Sequence, residues 1–133
     1  MKIFCIEDFK TEFDNLIKKK SYYSSEIELY DYFKNKEIPN IFSATNLNND
    51  PKRPYLKKRL EGRGGYRIYY YVLILEAKVY LGFIHPKTGA YGKETLNPKE
   101  IKENFKKILY SIKNNDLYEI IFEDKKLKFI KAK

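Results

Sequence analysis

The chain has little of several residue types that would point to a particular class of protein. It contains no Trp, one Cys, one Met and one His among 133 residues. The lone Cys5 cannot close a disulfide within the chain, which excludes a disulfide scaffold and favours a reducing compartment, the cytoplasm. One His and one Cys are also too few for a zinc site. We therefore expect neither a metal nor another cofactor.

Long apolar segments are missing as well. The longest strongly apolar run extends from Ile68 to Leu75, eight residues, whereas a membrane-spanning helix needs about 20. The first residues do not resemble a secretion signal, because Glu7 and Asp8 interrupt the apolar stretch that begins at Ile3. The sequence therefore predicts a soluble cytoplasmic protein with no membrane partner.

Aromatic residues are abundant instead. Thirteen Tyr and nine Phe make up 17% of the chain, within a hydrophobic fraction of 43%. A Tyr side chain can fill a core with its ring while its hydroxyl stays at a wet surface or against a polar ligand. The length is typical of one domain, and no repeat or flexible linker interrupts the sequence. We therefore expect a single domain over residues 1–133.

Positive charge is concentrated in the second part of the chain. Residues 1–40 carry a net charge of −1 and residues 41–133 a net charge of +10, which together give +9. A dense basic cluster between residues 51 and 67 is opposed only by Glu61, and such a cluster attracts polyanions, nucleic acid first among them. A lysine-rich surface that only keeps the protein soluble is the alternative. Arginine favours the first interpretation, because its guanidinium matches phosphate geometry. The basic residues are Lys52, Arg53, Lys57, Lys58, Arg59, Arg63 and Arg67.

Hydrophobic periodicity predicts an α+β fold with the element order β-α-α-β-β-β-α-β-β. A helix that begins at Glu7 and a second that begins near Ser25 form an N-terminal helical hairpin. A third helix runs from Pro98 to about Asn114, since proline suits a first helical turn. We expect the helices to pack on one face of an antiparallel sheet. The strands are expected at residues 2–6, 55–61, 66–75, 79–84, 117–122 and 127–130, with a loop at 40–54.

Several cationic or titratable groups are expected at one end of one sheet face. The strand period of two places Lys57 and Arg59 on the same face. Arg67 follows the next turn, and antiparallel pairing brings it beside them. His85 ends the third strand of this meander, and Lys87 follows it. Cations without carboxylates cannot hold Mg²⁺ or Ca²⁺. The chemistry expected of this group is therefore stabilisation of negative charge and proton transfer.

Simpler roles exist for the two residues that most often act as nucleophile or base. Cys5 and His85 form a conceivable nucleophile pair, but a core cysteine is the plainer interpretation. His85 by itself is also typical of a surface residue at a strand end.

Four stretches carry a resemblance to a known family. The most specific is the segment GGYRIYYYV at 64–72, followed by a short turn, the apolar strand 79–84 and a Lys. The helical segment at 9–26 and the basic strand at 55–60 add weaker matches. Together they resemble the RelE/ParE superfamily of toxins from bacterial type II toxin–antitoxin systems. The resemblance covers most of residues 1–114, a RelE-like core, and leaves 115–133 as a C-terminal hairpin extension.

The resemblance implies an activity and partners. RelE-like members are ribosome-dependent endoribonucleases that cut mRNA without a metal and so inhibit translation. An acidic antitoxin protein, the ribosome and mRNA are the implied partners. The family pattern falls on the candidate catalytic residues Lys57, Arg59, Arg67, His85, Lys87 and Tyr91.

The chemistry of RNA cleavage suits these residue types. Attack by the RNA's own 2′-OH needs a base, an acid for the 5′-oxygen, and cations for the phosphorane. Lys57 is the candidate base, because neighbouring cations lower a lysine pKa, and Arg59 and Arg67 are the candidate phosphate clamps. The acid is His85 or Lys87. Further RNA contacts are expected from Lys52, Arg53, Lys58 and Arg63, with base stacking by Tyr66 or Tyr91.

Two other functions remain open at this point. ParE-like members of the superfamily inhibit DNA gyrase and lack the basic active-site set. A non-catalytic RNA-binding or ribosome-binding module would use the same cluster as an electrostatic footprint only.

Overall fold

The computed structural model describes residues 1–18, 25–34, 44–60, 65–86 and 97–132. These residues form three helices and one seven-stranded sheet, which confirms the α+β class. The order of elements is as expected, apart from an additional two-residue strand, β2, in the stretch expected to be a loop. The helices are α1 (Glu7–Ile17), α2 (Ser25–Phe33) and α3 (Pro98–Lys113). The strands are β1 (Lys2–Cys5), β2 (Thr45–Asn46), β3 (Tyr55–Leu60), β4 (Tyr66–Leu73), β5 (Lys78–Pro86), β6 (Tyr118–Glu123) and β7 (Lys126–Lys131).

The sheet is larger than a simple meander and is not purely antiparallel. Its strand order is β2-β3-β4-β5-β1-β6-β7. β1 runs parallel to β5, with Lys2 opposite Lys78 and Cys5 opposite Leu81, and the other neighbouring pairs are antiparallel. β1 therefore joins the expected meander, β3 to β5, to the C-terminal hairpin formed by β6 and β7.

Helices cover both faces of the sheet. On one face, called the α1–α2 face, Phe13 packs in a core with Ile68. On the other, called the α3 face, Ile108 packs in a second core with Tyr69. The expectation that all helices lie on one face is wrong, and β4 supplies the reason. All side chains from Tyr66 to Val72 are buried, so the central strand needs a covering layer on each side.

The start of α3 is fixed by a reciprocal cap. The Asn97 side-chain oxygen accepts a hydrogen bond from the Glu100 N–H at 2.9 Å, and the Glu100 carboxylate accepts one from the Asn97 N–H at 3.3 Å. Pro98 lies in the first turn, where its missing N–H is not needed. The predicted helix is thus confirmed. At 16 residues α3 is the longest helix described, and none in the described part of the chain is long and apolar enough to cross a membrane.

Cys5 is a core side chain. It is fully buried and forms no disulfide, and its burial raises the pKa of its thiol far above the usual range. The thiolate, which is the nucleophilic form, is therefore not populated near neutral pH. The plainer of the two interpretations of Cys5 is confirmed.

Candidate active site

Three basic or titratable side chains lie side by side across β3, β4 and β5. Arg59 is opposite Arg67, and Arg67 is opposite His85. Residues paired in this way have Cβ atoms about 4.5–5.5 Å apart. All three project to the α3 face. Arg59 and Arg67 are each an even number of residues from a tyrosine of the core on that face, Tyr55 and Tyr69 respectively. His85 lies opposite Arg67 and therefore shares its face.

Lys57 joins this set from the next position along β3. It is two residues before Arg59 and therefore shares its face. The pKa of Lys57 is lowered, first by partial burial and then by the positive charges of Arg59 and Arg67. A larger fraction of Lys57 is therefore neutral near physiological pH than for a lysine in water. We call Lys57, Arg59, Arg67 and His85 the basic cluster; these four share the α3 face, whereas Lys87, which was expected with them, lies outside the described residues.

Arg67 is in an unusual environment for a cation. Its side chain is only 1% exposed. Its Nε has no hydrogen-bond partner among the described residues, and no described carboxylate forms an ion pair with it. Among the described residues, the burial of this guanidinium is thus not offset by an ion pair, and a buried donor that makes no hydrogen bond costs stability. A phosphate oxygen is the kind of acceptor that this donor lacks.

The members of the basic cluster differ in exposure. Arg59 is exposed and Lys57 is half-buried, whereas Arg67 and His85 are buried at 1% and 4%. Arg67 was expected to be a phosphate clamp, but its side chain is buried and is not at the surface where RNA would approach. Within the basic cluster, Arg59 and Lys57 are therefore the side chains that solvent reaches, and Arg67 and His85 lie beneath them.

His85 is held by a backbone carbonyl and by two aromatic rings. Its Nδ1 lies 3.0 Å from the Pro86 carbonyl oxygen, which accepts only, so Nδ1 carries the hydrogen. The imidazole stacks on Tyr69 with centroids 5.9 Å apart and rings inclined by 19°, and it meets Phe83 at 5.8 Å. These contacts fix the ring plane, and Nε2, the other ring nitrogen, is buried.

An aromatic column connects the basic cluster to α3. Tyr69, which stacks on His85, lies 6.3 Å from the ring of Tyr55. The Tyr55 ring in turn stacks on Phe105 of α3, with centroids 4.9 Å apart and rings inclined by 9°. Three successive ring contacts thus connect α3 to His85.

Gly82 and Asn104 also shape this region, although neither was identified from the sequence. The register passes from Tyr69 opposite Phe83 to Tyr70 opposite Leu81, so Gly82 is an extra residue that forms a β-bulge. Asn104 of α3, only 6% exposed, donates from Nδ2 to the Gly82 carbonyl oxygen at 3.0 Å. The one available signal was a glycine inside a strand, which often marks a bulge or a close backbone approach.

Two predicted RNA-contacting residues lie elsewhere. Tyr66 is buried on the α1–α2 face, where its hydroxyl donates to the Ser25 carbonyl oxygen at 3.4 Å. It therefore offers no stacking surface beside the basic cluster, and that expectation is corrected. Lys58 also points away from the cluster, with its amino group 5.7 Å from the centroid of the Tyr32 ring on α2.

Other predicted contacts lie on the loop before β3 or outside the described residues. Lys52 and Arg53 are exposed. Their backbone N–H groups donate to the Asp50 carboxylate at 2.9 and 3.0 Å, and these bonds lower the pKa of Asp50. The backbone at both residues is thus held in a turn around Asp50. Arg63, Lys87 and Tyr91 lie outside the described residues.

Acidic and metal-binding groups do not gather in the described part of the molecule. Within these residues no three His, Cys, Asp or Glu side chains are close enough together to hold a metal ion.

A comparison of the chain with models of known protein families finds no matching family, and a comparison with curated proteins finds no match. The chemistry of the basic cluster is therefore the basis for a functional argument.

Proposed function

We propose that the chain is a metal-independent endoribonuclease, a RelE-like toxin that cleaves mRNA on the ribosome. The observation that carries this proposal is the juxtaposition of Lys57, whose pKa is lowered, with Arg59 and Arg67 on one sheet face. A partly neutral amine beside two guanidinium groups supplies a base and charge stabilisation together. The RelE/ParE resemblance at residues 64–72 supports the same conclusion.

The proposed reaction is internal transesterification of RNA. The neutral amine of Lys57 takes the proton of the 2′-OH, and the 2′-oxygen attacks the adjacent phosphorus. Arg59 and Arg67 stabilise the additional negative charge of the phosphorane. The bond from phosphorus to the 5′-oxygen then breaks as His85 or Lys87 donates a proton to that oxygen. The products are a 2′,3′-cyclic phosphate and a 5′-OH, and no metal or water takes part in the step.

Two partners follow from the proposal. The ribosome would present the mRNA, since the toxins that this chain resembles act there. An acidic antitoxin would neutralise the protein, and the net charge of +10 over residues 41–133 supports a partner of opposite charge.

A reconstituted translation reaction tests the proposal. Adding the purified protein is expected to cut the translated mRNA and to leave 2′,3′-cyclic phosphate ends, which are mapped by primer extension and end-specific ligation. Lys102→Ala, which changes an exposed lysine on the outer side of α3, serves as the control and is expected to cleave at the wild-type rate. Intact mRNA, or 3′-OH ends, would contradict the proposal.

A non-catalytic RNA-binding module is the second candidate. The burial of Arg67 and His85 favours it, because the exposed cations Lys52, Arg53 and Arg59 are then the ones that meet RNA. In that case the protein binds RNA and leaves it intact, which the same translation reaction detects.

Both candidates predict a salt-dependent contact at Arg59. Arg59→Gln is expected to weaken binding to single-stranded RNA and to reduce the slope of log K against log salt by about 0.7, the value for one phosphate contact. Lys58→Gln is the matched control, since the neighbouring residue points to the opposite face. Fluorescence anisotropy at several salt concentrations measures both slopes. Equal slopes for the two variants would exclude the α3 face as the RNA-binding surface.

A further inference from the structure

The bulge at Gly82 determines which face His85 occupies. Strand residues alternate between faces, and Tyr80 lies on the α3 face while Leu81 lies on the α1–α2 face. Regular alternation from Leu81 would put His85 on the α1–α2 face, away from Arg67. The extra residue reverses the phase, so that Ile84 is buried on the α1–α2 face and His85 faces α3.

Asn104 holds this bulge from the side of α3. A carbonyl displaced from the ladder by a bulge needs another partner, and Asn104 Nδ2 supplies it at 3.0 Å. The other end of the same amide accepts a hydrogen bond from the Tyr55 hydroxyl at 2.7 Å. The amide thus connects β3, β5 and α3 through two separate bonds.

The close approach at this point requires glycine. A Cβ at Gly82 would lie 2.5 Å from Asn104 Oδ1 and 2.5 Å from Ile108 Cδ1. Both side chains are buried, so a side chain at position 82 would have to displace the Asn104 amide and the Ile108 methyl group. Glycine at 82 and asparagine at 104 therefore form one matched contact.

We propose that this contact sets the register of β5, and that Asn104 is a positioning residue that keeps His85 in the basic cluster. Asn104 acts on His85 only through the bulge and the strand. As far as catalysis is concerned, the proposal rests on the ribonuclease function proposed above. The structural part, the dependence of the His85 position on the Asn104–Gly82 bond, stands by itself.

Two variants separate the two hydrogen bonds of the amide. Tyr55→Phe removes the bond to Tyr55 and keeps the bond to Gly82, whereas Asn104→Leu, whose side chain branches at the same carbon, removes both. His85 is the only histidine in the chain, so its ring signals are assigned without ambiguity. Nuclear Overhauser effects from the His85 ring to the Tyr69 ring report whether the imidazole still lies on the α3 face.

The expected result is a difference between the two variants. Tyr55→Phe is expected to keep the His85–Tyr69 contacts and to cleave within about twofold of the wild-type rate. Asn104→Leu is expected to lose these contacts and to cleave at least tenfold more slowly, while still melting cooperatively. Should Asn104→Leu not fold, Gly82→Ala, which pushes the Asn104 amide off the bulge, is expected to show the same loss of contact.

The inference and the proposed function fail in different ways. An Asn104→Leu protein that retains the His85–Tyr69 contacts and cleaves like Tyr55→Phe would overturn the positioning role. A wild-type protein that cleaves no RNA would overturn the proposed function. Loss of the His85–Tyr69 contacts in Asn104→Leu would then still support the role of Asn104 in setting the register.

Discussion

Replacing Arg67 with methionine is expected to raise the melting temperature and to lower the rate of mRNA cleavage about 10²–10³-fold. Arg67 is buried, and its Nε has no partner among the described residues, so an apolar side chain of similar length removes a buried charge without leaving a large cavity. Such a replacement stabilises by on the order of 1 kcal/mol or more. Loss of one charge-stabilising donor typically accounts for the stated loss of rate.

Opposite changes in stability and activity distinguish a functional from a structural arginine. Thermal unfolding and cleavage of ribosome-bound mRNA are measured on the same preparations. Arg67→Lys is expected to restore activity only in part, because an ammonium group cannot form a bidentate contact with phosphate. An Arg67→Met protein that cleaves at the wild-type rate would remove Arg67 from the mechanism. A protein that loses stability and activity together would show that Arg67 is needed for the fold.

Replacing Lys57 with arginine is expected to lower the cleavage rate about 10²–10⁴-fold, the contribution typical of a general base. Arginine keeps the positive charge but cannot lose its proton. In the wild type, burial and the charges of Arg59 and Arg67 lower the Lys57 pKa, so the rate is expected to rise with pH as the amine is deprotonated, at a lower pH than for an ordinary lysine. In Lys57→Arg this rise should disappear. Single-turnover rates over a range of pH measure it.

The same pKa shift makes an independent prediction about stability. Because the folded pKa of Lys57 lies below the unfolded value, the unfolded chain binds more protons between the two. Wild-type stability should therefore rise with pH through that window, relative to Lys57→Arg. Melting temperatures measured from neutral to alkaline pH test this difference. Parallel curves would show that the Lys57 environment is not the one described here.

Much of the fold could be predicted because the signals are local. Pro98 follows an asparagine and precedes a glutamate at the right spacing, and these residues do begin α3. β3 likewise ends at Leu60 and β4 begins at Tyr66, on either side of the glycine-rich segment. The placement of α3 on the second face was missed, because it depends on the two-sided burial of β4 and not on any property of α3 itself.

The candidate site was only partly predictable. The shared face of Lys57 and Arg59 follows from the strand period alone, but the position of His85 depends on the bulge at Gly82, which depends on a contact with Asn104. Burial of Arg67 was not foreseen, since a charged residue in a strand is expected at the surface. The assignment to the RelE/ParE superfamily stays a prediction from the quoted residues.

The position of β1 between β5 and β6 has a consequence for how the chain folds. β1 pairs with residues 78–81 of β5 and with β6, so it cannot complete its pairing until residues 118 and 119 have been synthesised. Strands β3, β4 and β5, which carry the basic cluster, are contiguous in sequence and can assemble with short loops. Closing the long loop to β1 costs additional chain entropy and slows folding. We therefore expect the three-stranded meander to form first and the C-terminal hairpin to dock last, after β1 has provided its edge.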